Sequence, residues 1–173
     1  LPIPTPTYTT ALANDNDSTA ITPAGGTLTL PVSSDLSFSV WYKSTDTTAT
    51  YEEIFRTTTG TSQYGLQVGG TDLIVYGNTT GVFRKWNVDI NDGNWHHIAY
   101  YVPNTAPVVM NDIRLWVDGI ERSITGSVGW GNTGNITTLV GLMRASTTKH
   151  PLSLSNFAVF TSAITSDADI ATL

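Results

Sequence analysis

The chain has no cysteine among its 173 residues. That excludes disulfides, thiolate zinc sites and thiol catalysis together. Secreted animal domains often carry a bridge, so a Cys-free chain points towards a microbial or viral source. Charge is scarce as well: Asp, Glu, Lys and Arg supply 13% of residues, and the net charge is −6. The eight Lys and Arg are scattered without a basic run. A nucleic-acid backbone is therefore repelled, and an anionic membrane surface is disfavoured. No apolar stretch approaches the roughly 18 residues that a membrane-spanning helix needs. The chain opens LPIPTPTYTT, without an initiator Met and without the basic start and apolar core of a signal peptide. It reads as a processed form or an excised piece.

Thr, Ser, Asn and Gly stand where charged residues usually do, and Thr is the commonest residue. A β-branched residue suits the exposed face of a strand, so the composition leans towards all-β. Residues 1–10 alternate Pro with small polar residues, which favours an extended, polyproline-like arm. The arm is either a linker or a tether that docks on a neighbour. Residues 11–173 suffice for a single domain.

Strand signals follow at short intervals. DLSFSVWYKS puts Leu36, Phe38 and Val40 on one face, with Ser37, Ser39 and Trp41 on the other. In LWVDGIER, Asp118 and Gly119 supply the two residues that tolerate positive φ in a hairpin turn. Asp118 is thus read as a turn residue. No segment of a dozen residues keeps a 3.6-residue period. TSDADIATL, with a Ser N-cap and acidic residues in the following turn, allows one short terminal helix. The expected fold is a two-sheet antiparallel jelly-roll sandwich.

Two of the chain's three histidines are adjacent, in NDGNWHHIAYYV. Neighbours on a strand point to opposite faces, so His96 and His97 cannot share one metal. They are read as fold residues, one hydrogen-bonded between the sheets and the other on the outer face. Trp41, Trp86, Trp95 and Trp116 sit in strand patterns and are read as packing residues.

LSFSVWYKS, DGNWHHIAYYV, LWVDGIERS and LSNFAVFTSAITSDADIATL follow one another over residues 36–173. In order and spacing they resemble the laminin-G-like domains of the concanavalin A-like lectin/glucanase jelly rolls. TYTTALANDNDSTAITPAGGTLTLP stands where the family's first strands belong. The resemblance implies the sandwich fold, but not one activity, since the fold hosts lectins, adhesion modules, virion proteins and glycosidases. Before the last strand this chain has PLSLSN, with Asn156 where the family has an acidic residue.

Glucanases of this fold carry their acids at alternate strand positions, in an E-x-D-x-x-E pattern that is absent here. Glu52 and Glu53 are adjacent and must face opposite ways, and Glu121 stands alone beside a hairpin. No catalytic residue is assigned, and no cofactor is required. Calcium is the one metal considered, at Asp15 and Asp17 of NDNDS, a segment that lacks the EF-hand Gly and Glu. The sequons at Asn16, Asn78 and Asn135 are no more than this composition produces by chance.

Sugar binding needs an aromatic face with amides nearby. GSVGWGNTGN offers Trp130 with Asn132 and Asn135, and VYGNTTG offers Tyr76 and Asn78, both taken as loops. Two functions stay open. One is a non-catalytic module for glycans or surface proteins, in an extracellular or virion-surface setting. The other is a structural or decoration subunit of a virion or filament, assembled through its sandwich surface and the arm.

Overall fold

A computed structural model describes residues 12–14, 28–30, 35–47, 51–59, 62–77, 82–104, 112–128, 136–144, 152–161 and 163–170. The proposed arm at 1–10, Asp15, Asp17, Asn78, Trp130, Asn132 and Asn135 lie outside the described residues.

Two antiparallel sheets face each other. The six-stranded sheet has the order β1 (Leu12–Asn14), β13 (Leu152–Phe160), β3 (Leu36–Ser44), β8 (His96–Val102), β9 (Arg114–Val117), β10 (Ile120–Glu121). The seven-stranded sheet runs β11 (Gly126–Val128), β7 (Val82–Asn87), β6 (Asp72–Gly77), β5 (Ser62–Gly69), β4 (Glu52–Thr59), β12 (Thr138–Arg144), β2 (Leu28–Thr29). The single described helix, α1 (Asp167–Ile170), follows the last strand. The all-β sandwich is as the strand spacing required.

The alternation read from the sequence sets the core. Leu36, Phe38 and Val40 of β3 are buried beside Ile98, Tyr100 and Val102 of β8. Leu66, Val68, Leu73, Val75 and Trp86 meet them from the seven-stranded sheet. At a bulge in β4 the register slips between Glu53 and Phe55, and both Ile54 and Phe55 are buried. Phe55 stacks on Phe38 with ring centres 4.7 Å apart.

A second, smaller core lies on the other face of the six-stranded sheet. There Ala99 and Trp116 pack against Ile164 and Ile170 of the carboxy-terminal segment. Three bonds hold that segment: Trp116 Nε1 donates to Asp167 at 2.9 Å, Ile164 N donates to Ser37 Oγ at 2.9 Å, and Arg114 donates to the Thr165 carbonyl at 2.5 Å. The helix start is capped as expected. Asp169 N donates to Ser166 Oγ, and the Asp169 carboxylate accepts from Ser166 N.

Asp118 and Gly119 take φ of 54° and 77° between β9 and β10. Asn156 also adopts a positive φ, of 49°, within the irregular stretch of β13 between Ser155 and Ala158. Asn tolerates that conformation better than most side chains do. The residue that departs from the family pattern therefore has a backbone role.

Candidate functional site

Leu73 and Val75 point into the core, so Asp72, Ile74 and Tyr76 lie on the outer face of the seven-stranded sheet. Register carries this face across to Gly65, Gln67 and Gly69 on β5, then to Glu53 and Arg56 on β4. Tyr76 is thus a strand residue rather than the loop residue expected. Its phenol donates to Glu53 Oε1. Arg56 donates to the same oxygen, with Nε at 3.1 Å and the terminal nitrogen closer. Three donors converge on one carboxylate oxygen.

Burial, and then the neighbouring carboxylate, push the Tyr76 phenol well above its ordinary range. Burial works against the Arg56 charge, but the bonds to Glu53 outweigh it and keep that guanidinium protonated. Glu52 pairs with Val68 and faces the interior, where its charge raises the pKa of the core residue Tyr42 after the larger effect of burial. Glu52 and Glu53 therefore stand on opposite sides of the sheet and cannot flank one glycosidic bond.

The glycines of β5 make room for rings. A Cβ on Gly65 would stand 2.7 Å from Tyr76 Cε1, and one on Gly69 would stand 2.5 Å from Tyr51 Cδ1. Tyr51 is 37% exposed, and Gln67 lies half-buried between the glycines. The result is a row of aromatic, amide and aromatic groups along β5, with the rings supplied by Tyr76 of β6 and by Tyr51 just before β4. At about 3.3 Å per residue the two glycines are about 13 Å apart, a span longer than one sugar ring.

The chain matches the family model Laminin_G_3, described as the concanavalin A-like lectin/glucanases superfamily, over residues 14–171. The chain belongs to this superfamily. No curated protein matches it. Solved structures with the same fold include the binding domain of botulinum neurotoxin DC in complex with rat synaptotagmin II, at 12% identity and TM-score 0.58. That match covers 81% of this chain and 35% of the other. The binding domain of Paraclostridial Mosquitocidal Protein 1 aligns at 12% identity and TM-score 0.57, covering 83% and 37%. A botulinum neurotoxin type C structure, described as dependent on two ganglioside molecules for cell entry, aligns at 11% and 0.57, covering 80% and 35%. The chain thus spans little more than a third of each, and identities this low establish the fold alone.

Within this lectin/glucanase-type sandwich the histidines hold structure. His97 is buried on the outer face of the six-stranded sheet, its Nε2 2.7 Å from Ser39 Oγ and its ring 5.1 Å from that of Trp41. His96 sits at the strand end. Its Nδ1 is 2.8 Å from Asp118 Oδ2, and its Nε2 is 3.0 Å from Asp92 Oδ1. Neither histidine spans the space between the sheets, so that part of the expectation is corrected. Asp118 goes beyond a turn residue, because its Oδ1 also accepts from His97 N at 2.9 Å. Among the described residues no group of three or more His, Cys, Asp or Glu side chains is placed to hold a metal.

Neutral imidazole has one N–H, yet both His96 nitrogens face carboxylate oxygens, so the charged ring fits the site. Burial lowers the His96 pKa, but Asp118 and Asp92 reverse this and leave it above its ordinary 6.5. Burial lowers that of His97, and Asp118 only partly opposes it. The two effects on stability have opposite signs. The His96 contribution is full below about pH 6.5 and fades as pH rises through its raised folded value. The His97 contribution is full above about pH 6.5 and fades as pH falls through its lowered folded value. Asp92, held at about 2 by its bonds to Asn94 and His96, stays charged throughout. The wild-type melting temperature should therefore peak near about pH 6.5, falling towards alkali through His96 and towards acid through His97. His96→Gln should keep only the fall towards acid, and His97→Gln only the fall towards alkali. Calorimetry showing the wild-type profile in both variants would refute this assignment.

Proposed function

We propose that this domain is a non-catalytic recognition module for glycans, working in an extracellular or virion-surface setting. The row of Tyr76, Gln67 and Tyr51 on the outer face of the seven-stranded sheet carries the proposal. Tyrosine rings take the C–H face of a sugar, while an amide and a carboxylate take its hydroxyls. Trp130, Asn132, Asn135 and Asn78 are proposed as further contacts, and calcium is proposed at Asp15 and Asp17. The separation of Glu52 from Glu53 supports binding without hydrolysis. The absence of a basic run leaves nucleic acid out.

A glycan array identifies the ligand, and variants then locate the site. Tyr51→Ala and Trp130→Ala should each weaken binding about tenfold, equivalent to about 1.4 kcal/mol. Their melting temperatures should stay close to wild type. Unchanged affinity in both variants would move the site elsewhere. Silence across the array would remove the glycan proposal. A particle subunit would then be favoured, provided that deleting residues 1–8 abolishes assembly.

A further inference from the structure

Beside the outer edge of the six-stranded sheet lies a cavity of about 410 Å³. It is lined by Trp86 of β7, by Ile113, Arg114 and Glu121 around the β9–β10 hairpin, and by Arg122, Ser123 and Ile124. The last three belong to the segment that crosses from β10 to β11 on the other sheet. Its volume falls in the range of small-ligand sites, which begins at about 300 Å³.

Two of the lining residues hold buried donors without an acceptor among the described residues: the indole Nε1 of Trp86 and the Nε of Arg122. Trp86 itself is 1% exposed. Neither group can accept a hydrogen bond, so both need an acceptor from elsewhere. Buried donors without partners are uncommon in folded proteins, because their desolvation goes uncompensated.

Charge narrows the acceptor. Arg114 is taken by Glu121, with contacts of 2.7 and 2.5 Å to its two oxygens. Arg122 adds one positive charge, and among the described residues its terminal nitrogen reaches the Val117 carbonyl, at 3.3 Å. One surplus charge suits a monoanion better than a phosphate dianion. A carboxylate has two oxygens for two donors. The remaining lining is mixed: Ile113, Ile124 and the indole are apolar, while Ser123 and the spare lone pairs of Glu121 can meet hydroxyls. A ring with C–H faces and hydroxyl edges matches both.

We propose that this cavity binds a carboxylate-bearing monosaccharide, with the Trp86 indole N–H and the Arg122 guanidinium donating to the carboxylate. The site is independent of the tyrosine row. Trp86 faces the core side of the seven-stranded sheet, and Tyr76 the other.

The test is titration of the ¹⁵N-labelled domain with glucuronic acid, glucose and acetate. Glucuronic acid should shift the Trp86 indole N–H resonance, assigned through its backbone connectivities, in a saturable way. Glucose, the same ring without the carboxylate, should leave it unmoved. Acetate should bind about tenfold or more weakly than glucuronic acid, because it lacks the ring. Arg122→Gln should weaken glucuronic acid about tenfold or more. Unmoved resonances from the other tryptophans would show that this variant is folded. Tyr51→Ala should bind glucuronic acid as wild type does, which separates this site from the glycan surface. No shift at the solubility limit of glucuronic acid overturns the proposal. So does an equal response to glucose, or acetate binding as tightly as the sugar acid.

Discussion

Replacing Phe55 with alanine should lower the melting temperature by roughly 6–20 °C. Phe55 is 1% exposed and stacks on Phe38, with Phe157 and Tyr100 at 5.7 and 6.1 Å. Truncating such a ring costs about 3–5 kcal/mol, from lost transfer energy plus the cavity left behind. For a domain of this size each kcal/mol moves the midpoint by about 2–4 °C. Collapse around the gap is hindered, because the bulge at Ile54 fixes the strand on one side and Phe38 holds the facing sheet. Phe55→Leu keeps most of the volume and should lose less than half as much. Thermal and urea denaturation of both variants measure the difference. A fall of only a few degrees in Phe55→Ala would mean that the aromatic cluster does not hold the sheets together.

Trp116→Ala should cost a similar amount, about 3–5 kcal/mol, but fail in a different order. Trp116 is fully buried beneath the carboxy-terminal segment and gives its indole N–H to Asp167. The Arg114 guanidinium lies 4.8 Å from the ring centre. Removing the indole takes away the floor on which Ile164 and Ile170 rest. Residues 163–170 should then open locally and be cut by protease below the global melting temperature. Trp116→Phe keeps most of the packing, removes the bond to Asp167, and should stay largely resistant. Limited proteolysis read by mass spectrometry, alongside calorimetry, tests both parts. Cleavage of Trp116→Ala only at its melting temperature would show that the segment unfolds with the body.

Local rules were enough for much of this fold. The alternation of Leu36, Phe38 and Val40 with Ser37, Ser39 and Trp41 gave the two faces of β3 directly. Asp118–Gly119 announced the hairpin, and Ser166 announced the helix cap. Sequence and structure differ where a distant segment decides. Gly77 and Asn78 signal a turn that would place Tyr76 in a loop, yet β6 continues through Gly77. The contact between Tyr76 and Glu53 crosses β5, and no local pattern encodes it. His97 follows the period-two rule onto the outer face, which ordinarily means solvent. Trp41 packs over its ring there, so outward does not mean exposed. The orphan donors come from a strand, Trp86 in β7, and from the β10–β11 crossing segment, Arg122, and meet only through the fold. A tryptophan in a strand pattern is sufficiently explained by packing until its N–H is followed.

The place of β13 between β1 and β3 has a consequence for synthesis of the chain. Leu152 pairs with Ser44 and Phe160 with Ser37, so a central ladder joins segments that leave the ribosome far apart in time. At about 5–20 residues per second, β13 follows β3 by roughly 5–25 s. Pairings of such separation also close slowly, in about milliseconds to seconds. Until then β3 is bonded at most along its β8 side, and its other edge is open to any strand that reaches it. The risk of wrong pairing is therefore concentrated in the nascent chain, before the last strand arrives to cover that edge.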